Sequence, residues 1–241
     1  MLLISSKRRG NVETPQPHKG SVETYEQLSD FIAPDFAFSK QDLWDRFGML
    51  GVFGDYVLSS VQGAVLEIGT GESSIYLGTV AKKYNRKIYH CDISPSKILN
   101  PLSVPGYFAE DNEYLEENFE TMQNKRCVLY AGPSDKMFEK INIEPLALSF
   151  IDGDHIYEQV KKDFYNILPL TVDNGYIILH DTYPPTEEYI DENRCGTVYK
   201  FRQEIEKHRE IDCITLTRGC AIGVGLTICR KKPKERPYYN E

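Results

Sequence analysis

The stretch Glu67-Ile68-Gly69-Thr70-Gly71-Glu72-Ser73 decides the fold of this chain. It overlaps the end of the apolar run Ala64–Ile68, which predicts a buried strand, and it opens into Ser73–Tyr84, whose apolar spacing predicts a helix. Gly69 and Gly71 permit a tight turn between strand and helix, and they let a ligand approach the backbone closely. The helix N-terminus adds unpaired N–H groups at the same place. The stretch therefore predicts a strand–turn–helix unit that binds a ligand at its turn.

Beyond this unit, short apolar runs alternate with longer amphipathic runs, a pattern typical of strand–helix–strand units in a parallel sheet. The predicted strands are Ala64–Ile68, Lys87–Cys91, Cys127–Tyr130, Leu146–Ile151 and Tyr176–Leu179. The predicted helices are Ser73–Tyr84, His155–Leu168 and Thr197–Lys207. Two β-rich runs, Cys213–Thr217 and Ala221–Cys229, predict an antiparallel hairpin around Arg218-Gly219-Cys220. We predict an α/β fold: a Rossmann-like doubly wound sheet, mostly parallel, with this C-terminal hairpin and helices on both faces.

Composition divides the chain into four segments. Residues 1–20 are polar and contain Pro and Gly without an apolar period, which predicts a flexible N-terminal arm. Residues 21–60 have apolar side chains at helical spacing, which predicts an N-terminal helical cap. We expect the ligand-binding domain to span residues 61–230, followed by a basic tail over residues 231–241.

The charge and hydropathy of the chain limit its partners. The formal net charge is −8 and the pI is about 5.3, which argues against a broad nucleic-acid-binding face, because phosphate binding needs clustered Lys and Arg. No stretch approaches the roughly 20 apolar residues that span a bilayer, so we expect a cytoplasmic protein without a membrane partner. The sequence does not decide between a monomer and a homo-oligomer.

Two acidic residues indicate the kind of ligand at the turn. Asp92 follows the second predicted strand, where a carboxylate can accept hydrogen bonds from both ribose hydroxyls of a nucleoside. Glu67 places a carboxylate inside the turn motif, and Ser73 occupies the third glycine position of a dinucleotide-binding turn. Both features disfavour a pyrophosphate at this turn. The pattern therefore predicts a nucleoside ligand, with a cationic group better suited to the turn than an anion.

Several motifs now show a family resemblance. Val65–Gly71 followed by Asp92 resembles motifs I and II of class I methyltransferases, and Ala131-Gly132-Pro133-Ser134 resembles their adenine-contacting turn. Phe150–His155 together with Leu179–Asp181 resembles the Asp-Gly-Asp-His and His-Asp pattern of one subgroup. That subgroup includes small-molecule and sugar O-methyltransferases, some of them magnesium-dependent. The resemblance covers about residues 60–230 and implies S-adenosylmethionine as the cofactor.

The resemblance also implies residue roles at the cofactor. It places Glu67 and the backbone of Gly69 and Gly71 near the amino-acid end of S-adenosylmethionine, Asp92 at the ribose and Ser134 near the adenine. Asp135 is a second candidate near the adenine, and an ordinary polar turn residue is the alternative role of Ser134. The predicted cofactor-binding residues are Glu67, Gly69, Gly71, Ser73, Asp92, Ser134 and Asp152.

A second group of polar residues predicts the acceptor site. Asp152 and Asp181 follow two strands expected to be neighbours about 4.8 Å apart, so their carboxylates can share one Mg²⁺ ion. In the resembling metal-dependent enzymes, the metal lowers the pKa of an acceptor hydroxyl. His155 is the predicted general base, since its ordinary pKa is near 6.5. His180 is a second catalytic candidate, as a ligand or a base. The alternatives are that Asp154 or His155 caps the following helix and that His180 is a rim residue.

Three other functions compete with methyl transfer to a small molecule. A nicotinamide-dependent oxidoreductase shares the glycine turn and the ribose acid, but Glu67 and the terminal hairpin oppose it. A non-catalytic binding protein can keep the fold without the chemistry, which the presence of Asp152, His155 and Asp181 disfavours. A nucleic-acid methyltransferase is disfavoured by the acidic charge balance.

Overall fold

The computed structural model describes residues 48–71, 73–93, 113–114, 121–123, 126–191, 193–217 and 224–234. These residues lie within one compact unit, Ala37–Glu241. The predicted arm, the first part of the predicted cap, the hairpin turn and the end of the basic tail lie outside the described residues. The predicted domain boundaries stay predictions.

The described strands form one mixed sheet. The strands are β1 (Ala64–Ile68), β2 (Ile88–Asp92), β3 (Glu113–Tyr114), β4 (Thr121–Gln123), β5 (Cys127–Ala131), β6 (Leu146–Ile151), β7 (Thr171–His180), β8 (Ile211–Leu216) and β9 (Leu226–Lys231). Their order across the sheet is β3-β4-β5-β2-β1-β6-β7-β9-β8. The central five strands, β5 to β7 in this order, pair in parallel, whereas β3 and β4 at one edge and β9 and β8 at the other pair antiparallel. The predicted mostly parallel sheet with a C-terminal antiparallel pair is confirmed.

Helices cover both faces of the sheet. They are α1 (Gly48–Ser60), α2 (Ser73–Lys83), α3 (Ser134–Lys140), α4 (Tyr157–Ile167) and α5 (Val198–Ile205). On one face, Phe164 of α4 and Phe201 of α5 join a buried cluster with Leu66 and Leu179 of the sheet. On the other face, Gly54 of α1 approaches the side chains of Leu148 and Val80 closely. Burial of the central strands on both faces explains their nearly continuous apolar sequences.

The differences from the predicted elements are α3, a short helix that was not predicted, and the margins of the sheet. Strand β7 begins at Thr171, five residues before the predicted start at Tyr176. The prediction missed this part because the polar run Asp173-Asn174-Gly175 hides the strand pattern. Asn174 has a left-handed φ of 63°, and the pairing of β6 with β7 shifts register there. Strands β3 and β4, of two and three residues, were not predicted because such short segments carry no detectable period.

Parallel pairing brings the carboxyl ends of the central strands to one edge of the sheet. Ile68 pairs with both Cys91 and Ile151, and Asp92 pairs with Ala131. The loops that follow β1, β2, β5, β6 and β7 therefore converge, as expected for ligand binding in an open α/β sheet. Within the described part of the chain, no helix has the length and apolar character needed to cross a membrane.

Candidate functional site

A cavity of about 410 Å³ opens at the carboxyl ends of the central strands. It is lined by Gly69 and Thr70 after β1, Asp92 and Ile93 after β2, Gly132–Ser134 after β5, Asp152–His155 after β6, and Gln159 and Asp163 of α4. One cavity wall thus contains residues of the cofactor motifs together with residues of the Asp-Gly-Asp-His segment.

The two glycines of the turn have different structural roles. Gly69 has a left-handed φ of 81°, and a Cβ atom there would lie 2.1 Å from the carbonyl oxygen of Asp152. Gly69 is therefore required by the close approach of the loop after β6. Gly71 has no left-handed φ, and a Cβ atom there would meet no described atom within 4 Å. The tight turn therefore depends on Gly69, whereas the open space at Gly71 is compatible with the predicted approach of a ligand, which stays a prediction.

Glu67 and Ser73 lie beneath the turn instead of along the cavity wall. Both are buried, and Ser73 Oγ donates to Glu67 Oε1 at 2.5 Å. The second carboxylate oxygen accepts from Ser74 Oγ at 2.7 Å and lies 2.6 Å from Nδ1 of His90. These contacts lie within the protein and stabilise the turn and the start of α2. The predicted binding of the cofactor by Glu67 and Ser73 stays a prediction. Burial lowers the pKa of His90, but hydrogen bonds with Cys127 and Glu67 outweigh it and raise the pKa to about 10.

Asp92 reaches the cavity and is held by the turn. Its Oδ2 accepts hydrogen bonds from the backbone N–H and from the hydroxyl of Thr70, each at 2.8 Å. The carboxylate therefore lines the cavity in a fixed orientation next to the glycine turn. The sequence predicted Asp92 at this place but missed Thr70, whose side chain orients it.

Ser134 belongs to a buried network that the sequence only partly predicted. Its hydroxyl donates to Asp163 Oδ1 at 2.5 Å, and the Gln159 amide donates to the same oxygen at 3.0 Å and to Ser134 Oγ at 3.1 Å. Burial raises the pKa of Asp163 to about 6, against these two hydrogen bonds. Gln159 and Asp163 are four residues apart on α4, so they share the helix face that meets the cavity. Asp135 instead pairs with Lys162 at 2.9 Å.

The acceptor residues form a compact charged cluster. The Nε2 atom of His155 lies 3.0 Å from Asp181 Oδ2 and 3.7 Å from Asp152 Oδ1. The Nδ1 atom of His180 lies 2.9 Å from Asp152 Oδ1 and 3.3 Å from Asp181 Oδ2. One oxygen of Asp152, one nitrogen of His155 and one oxygen of Asp181 lie within 4.8 Å of one another, close enough to share a cation. The strand ends thus bring together the four predicted acceptor residues.

Mutual attraction changes the pKa values in this cluster. Burial lowers the pKa of His155, but attraction to the carboxylates of Asp152 and Asp181 outweighs burial and raises it. Burial likewise lowers the pKa of His180, but the same two carboxylates raise it to about 10. Burial alone would raise the pKa of Asp152, yet His180 and His155 lower it below its ordinary value. Opposite charges therefore stabilise one another in this cluster.

His180 is placed behind the two carboxylates and outside the cavity lining. It is 6% exposed, whereas His155 lines the cavity. Its ring contacts both carboxylates from outside the cavity lining, so His155 is placed more directly to meet an acceptor. The catalytic role of His180 stays a prediction.

A segment that the sequence did not assign to the site packs against the cluster. The Cys195 thiol donates to Asp181 Oδ1 at 3.6 Å, and the Thr197 N–H donates to the carbonyl of His155 at 2.8 Å. The Thr197 hydroxyl accepts from the Tyr157 N–H at 2.8 Å and so caps α4. Ile156 is the N-cap residue of α4, so neither Asp154 nor His155 caps the helix, and Asp154 accepts from the Ile156 N–H.

Comparison with known proteins agrees with this geometry. Residues 66–182 match a family model described as "Methyltransferase domain". No curated protein sequence matches the chain.

Solved structures provide the fold comparison. Cofactor-bound Rv0187 from MTB is 15% identical, with a TM-score of 0.57 over 90% of this chain and 92% of that chain. The O-methyltransferase TomG from Streptomyces achromogenes, solved in complex with SAM, is 14% identical, with a TM-score of 0.55 over 90% and 92%. An O-methyltransferase from Bacillus cereus in complex with SAH is 16% identical, with a TM-score of 0.52 over 92% and 94%. At these identities the likeness establishes the fold. The fold is therefore the Rossmann-like fold of these methyltransferases, and residues 66–182 are similar in sequence to a methyltransferase domain.

Proposed function

We propose that the protein is an S-adenosylmethionine-dependent methyltransferase that methylates a hydroxyl group of a small molecule. One observation carries this proposal: His155 and Asp152 line the same cavity as Gly69 and Asp92. A nucleoside ligand on the glycine turn and a hydroxyl beside His155 would therefore be within reach of one another. This arrangement suits direct transfer between two bound molecules.

The residues of the glycine-turn side fit a nucleoside cofactor. The turn at Gly69 is fixed by its contact with the backbone of Asp152, and Asp92 is held toward the cavity by Thr70. A carboxylate in this position can bind ribose hydroxyls, and the wall around Ser134 provides polar groups for a purine. When bound, S-adenosylmethionine supplies an electrophilic methyl group.

His155 is the proposed base. Asp181 engages Nε2 of the imidazole at 3.0 Å and fixes the ring orientation, which leaves Nδ1 to accept the proton of an acceptor hydroxyl. His155 acts in its neutral form, and the neighbouring carboxylates then stabilise the proton that it has accepted. Removal of this proton increases the nucleophilicity of the acceptor oxygen.

The two carboxylates also fit a divalent cation. Asp152 and Asp181 offer hard oxygen donors within 4.8 Å of one another and of His155 Nε2, which suits Mg²⁺ with water completing the coordination. When bound, Mg²⁺ would lower the pKa of an acceptor hydroxyl. His180 already balances the charge of the same carboxylates, so we propose the metal as an aid to His155 and not as its replacement.

A small acceptor is favoured over a nucleic acid. The net charge of −8 opposes binding of a phosphate backbone, and the reacting groups lie in a cavity of about 410 Å³. Two of the structurally similar proteins are O-methyltransferases by name, which supports oxygen as the methylated atom.

The test is methyl transfer from labelled S-adenosylmethionine to a panel of catechols, phenols and monosaccharides. We expect transfer to at least one class, and a strong loss in both His155→Ala and Asp181→Ala. A short RNA is included as an alternative acceptor. Undiminished transfer in both variants would contradict the proposed base.

Metal assistance is tested in the same assay with Mg²⁺ and with EDTA. A rate that rises with Mg²⁺ and is abolished by EDTA supports a cation on Asp152 and Asp181. A rate unchanged by EDTA contradicts metal assistance and assigns the proton removal to His155 alone.

A further inference from the structure

We propose that Cys195 is a positioning residue, whose thiol holds the Asp181 carboxylate in the orientation that engages His155. This inference rests on the proposed function for its catalytic consequence. The contact itself is a property of the folded chain and can be measured without an acceptor.

The first argument is that the two oxygens of the Asp181 carboxylate contact different neighbours. Oδ2 faces His155 at 3.0 Å and His180 at 3.3 Å, whereas Oδ1 accepts from Cys195 Sγ at 3.6 Å. Rotation of the carboxylate away from His155 would break the Cys195 contact as well. The thiol therefore disfavours alternative orientations of a side chain whose other oxygen contacts the proposed base.

The second argument is the state of the thiol. Cys195 is completely buried. The sulfur is the donor in its contact with Asp181, because an ionised carboxylate can only accept a hydrogen bond. A protonated thiol is a weak hydrogen-bond donor, and a carboxylate is a strong acceptor. Cys195 and Asp181 therefore form the donor–acceptor pair that the positioning role requires.

The third argument is the backbone around Asp181 and Cys195. Asp181 has a left-handed φ of 57°, a costly conformation for a residue with a side chain. Gly196 has a φ of 52°, and a Cβ atom there would lie 2.1 Å from the carbonyl oxygen of His155. Thr197 donates to that same carbonyl at 2.8 Å. One short segment, Cys195–Thr197, thus contacts both members of the Asp181–His155 pair.

Three substitutions separate hydrogen bonding from packing. Cys195→Ser keeps a donor of similar size, whereas Cys195→Val fills the space without a donor and Cys195→Ala removes both. If the thiol only fills a buried space, Ser is the least stable variant and Val is tolerated. If the thiol positions Asp181, kcat is higher in Cys195→Ser than in Cys195→Ala and Cys195→Val, whatever the order of their stabilities. We expect kcat to fall about three- to tenfold in Ala and Val, with rescue by Ser and with the Kd for S-adenosylmethionine unchanged.

The effect of the thiol on His155 can be measured without an acceptor, from the protonation of the His155 ring. The chain has five histidines, so two-bond ¹H–¹⁵N correlation spectra of histidine-labelled protein can be assigned with single His→Gln variants. At one fixed pH, we expect His155 to be protonated at Nε2 in the wild type and in Cys195→Ser, and to show mixed ring states in Cys195→Ala and Cys195→Val. Unchanged His155 signals in all variants would overturn the inference. Cys213→Ala, which removes a thiol in β8, serves as the control.

A double-mutant cycle links the contact to catalysis. In an Asp181→Ala background, Cys195→Ala should have no further effect on kcat, because the group that the thiol positions is absent. Additive losses would overturn the inference. A wild type without methyl transfer would contradict the proposed function, whereas unchanged His155 signals contradict only the role of Cys195, so the two failures are distinguishable.

Discussion

The site has two halves that are built in different ways. The cofactor half comprises the turn at Gly69, Asp92 and Ser134, and it is shaped by backbone contacts and by hydrogen bonds to buried hydroxyls. The acceptor half comprises Asp152, His155, His180 and Asp181, and it is held by attraction between charged side chains.

This difference predicts different consequences of substitution. In the cofactor half, a change should alter the shape of the turn or the binding of the nucleoside. In the acceptor half, a change should alter the chemical step, because the charged groups there contact the proposed base. Effects on stability, affinity and rate therefore separate the two halves experimentally.

The largest expected effect is on the rate. His155→Gln should reduce kcat by about 10²- to 10⁴-fold, the usual contribution of general base catalysis, while the Kd for S-adenosylmethionine changes less than about threefold. Methyl transfer and calorimetric titration measure the two quantities. His208→Gln, at a histidine between α5 and β8, is the matched control. A parallel loss of affinity and rate would show that the halves are not independent.

The next effect is on stability. Gly69→Ala should lower the free energy of unfolding by at least about 2 kcal/mol, because it combines a left-handed φ with a clash against the Asp152 carbonyl. Gly71→Ala is the control, since the new methyl group meets no described atom within 4 Å, and we expect a change of less than about 1 kcal/mol. Urea unfolding measures both variants. Equal losses would contradict the distinct roles of the two glycines.

A smaller effect depends on pH. Burial raises the pKa of Asp163 to about 6 from an ordinary value of 3.8, so the folded state holds this proton more tightly than the unfolded state. The stabilisation is complete below pH 3.8 and is lost as the pH rises through 6. Asp163→Asn cannot ionise and keeps an amide oxygen as the acceptor for Ser134 and Gln159. We expect the variant to be more stable than the wild type by about 3 kcal/mol at pH 7.5 and to lose this advantage near pH 4.

The control for this prediction is Asp173→Asn, an exposed residue of β7, which should leave the pH dependence of unfolding unchanged. A gain in Asp163→Asn that is the same at both pH values would contradict ionisation of Asp163 as its cause.

The sequence predicted the parts of the site that lie within short segments. The glycine turn, Asp92 and the Asp-Gly-Asp-His segment are continuous with strands, so strand periodicity and strand order were sufficient to place them at one edge. The internal partners of Glu67, which are Ser73, Ser74 and His90, were not predicted, because only the folded turn brings them together.

Other contacts depend on segments that are distant in sequence. Asp163 meets Ser134 only when α4 packs beside the start of α3, and Cys195 meets Asp181 only when the segment before α5 folds back. The spacing of polar residues contains no signal for either contact. His180 matched a catalytic pattern, but its depth behind the carboxylates follows from three-dimensional packing.

The most direct test is calorimetric titration of the wild type and Asp92→Asn with S-adenosylmethionine and, separately, with NAD. We predict micromolar binding of S-adenosylmethionine, at least about tenfold weaker in the variant, and no binding of NAD. The Asn side chain keeps an oxygen for the two Thr70 hydrogen bonds, so the turn is preserved. Saturable binding of NAD without binding of S-adenosylmethionine would contradict the proposed methyl transfer and favour an oxidoreductase.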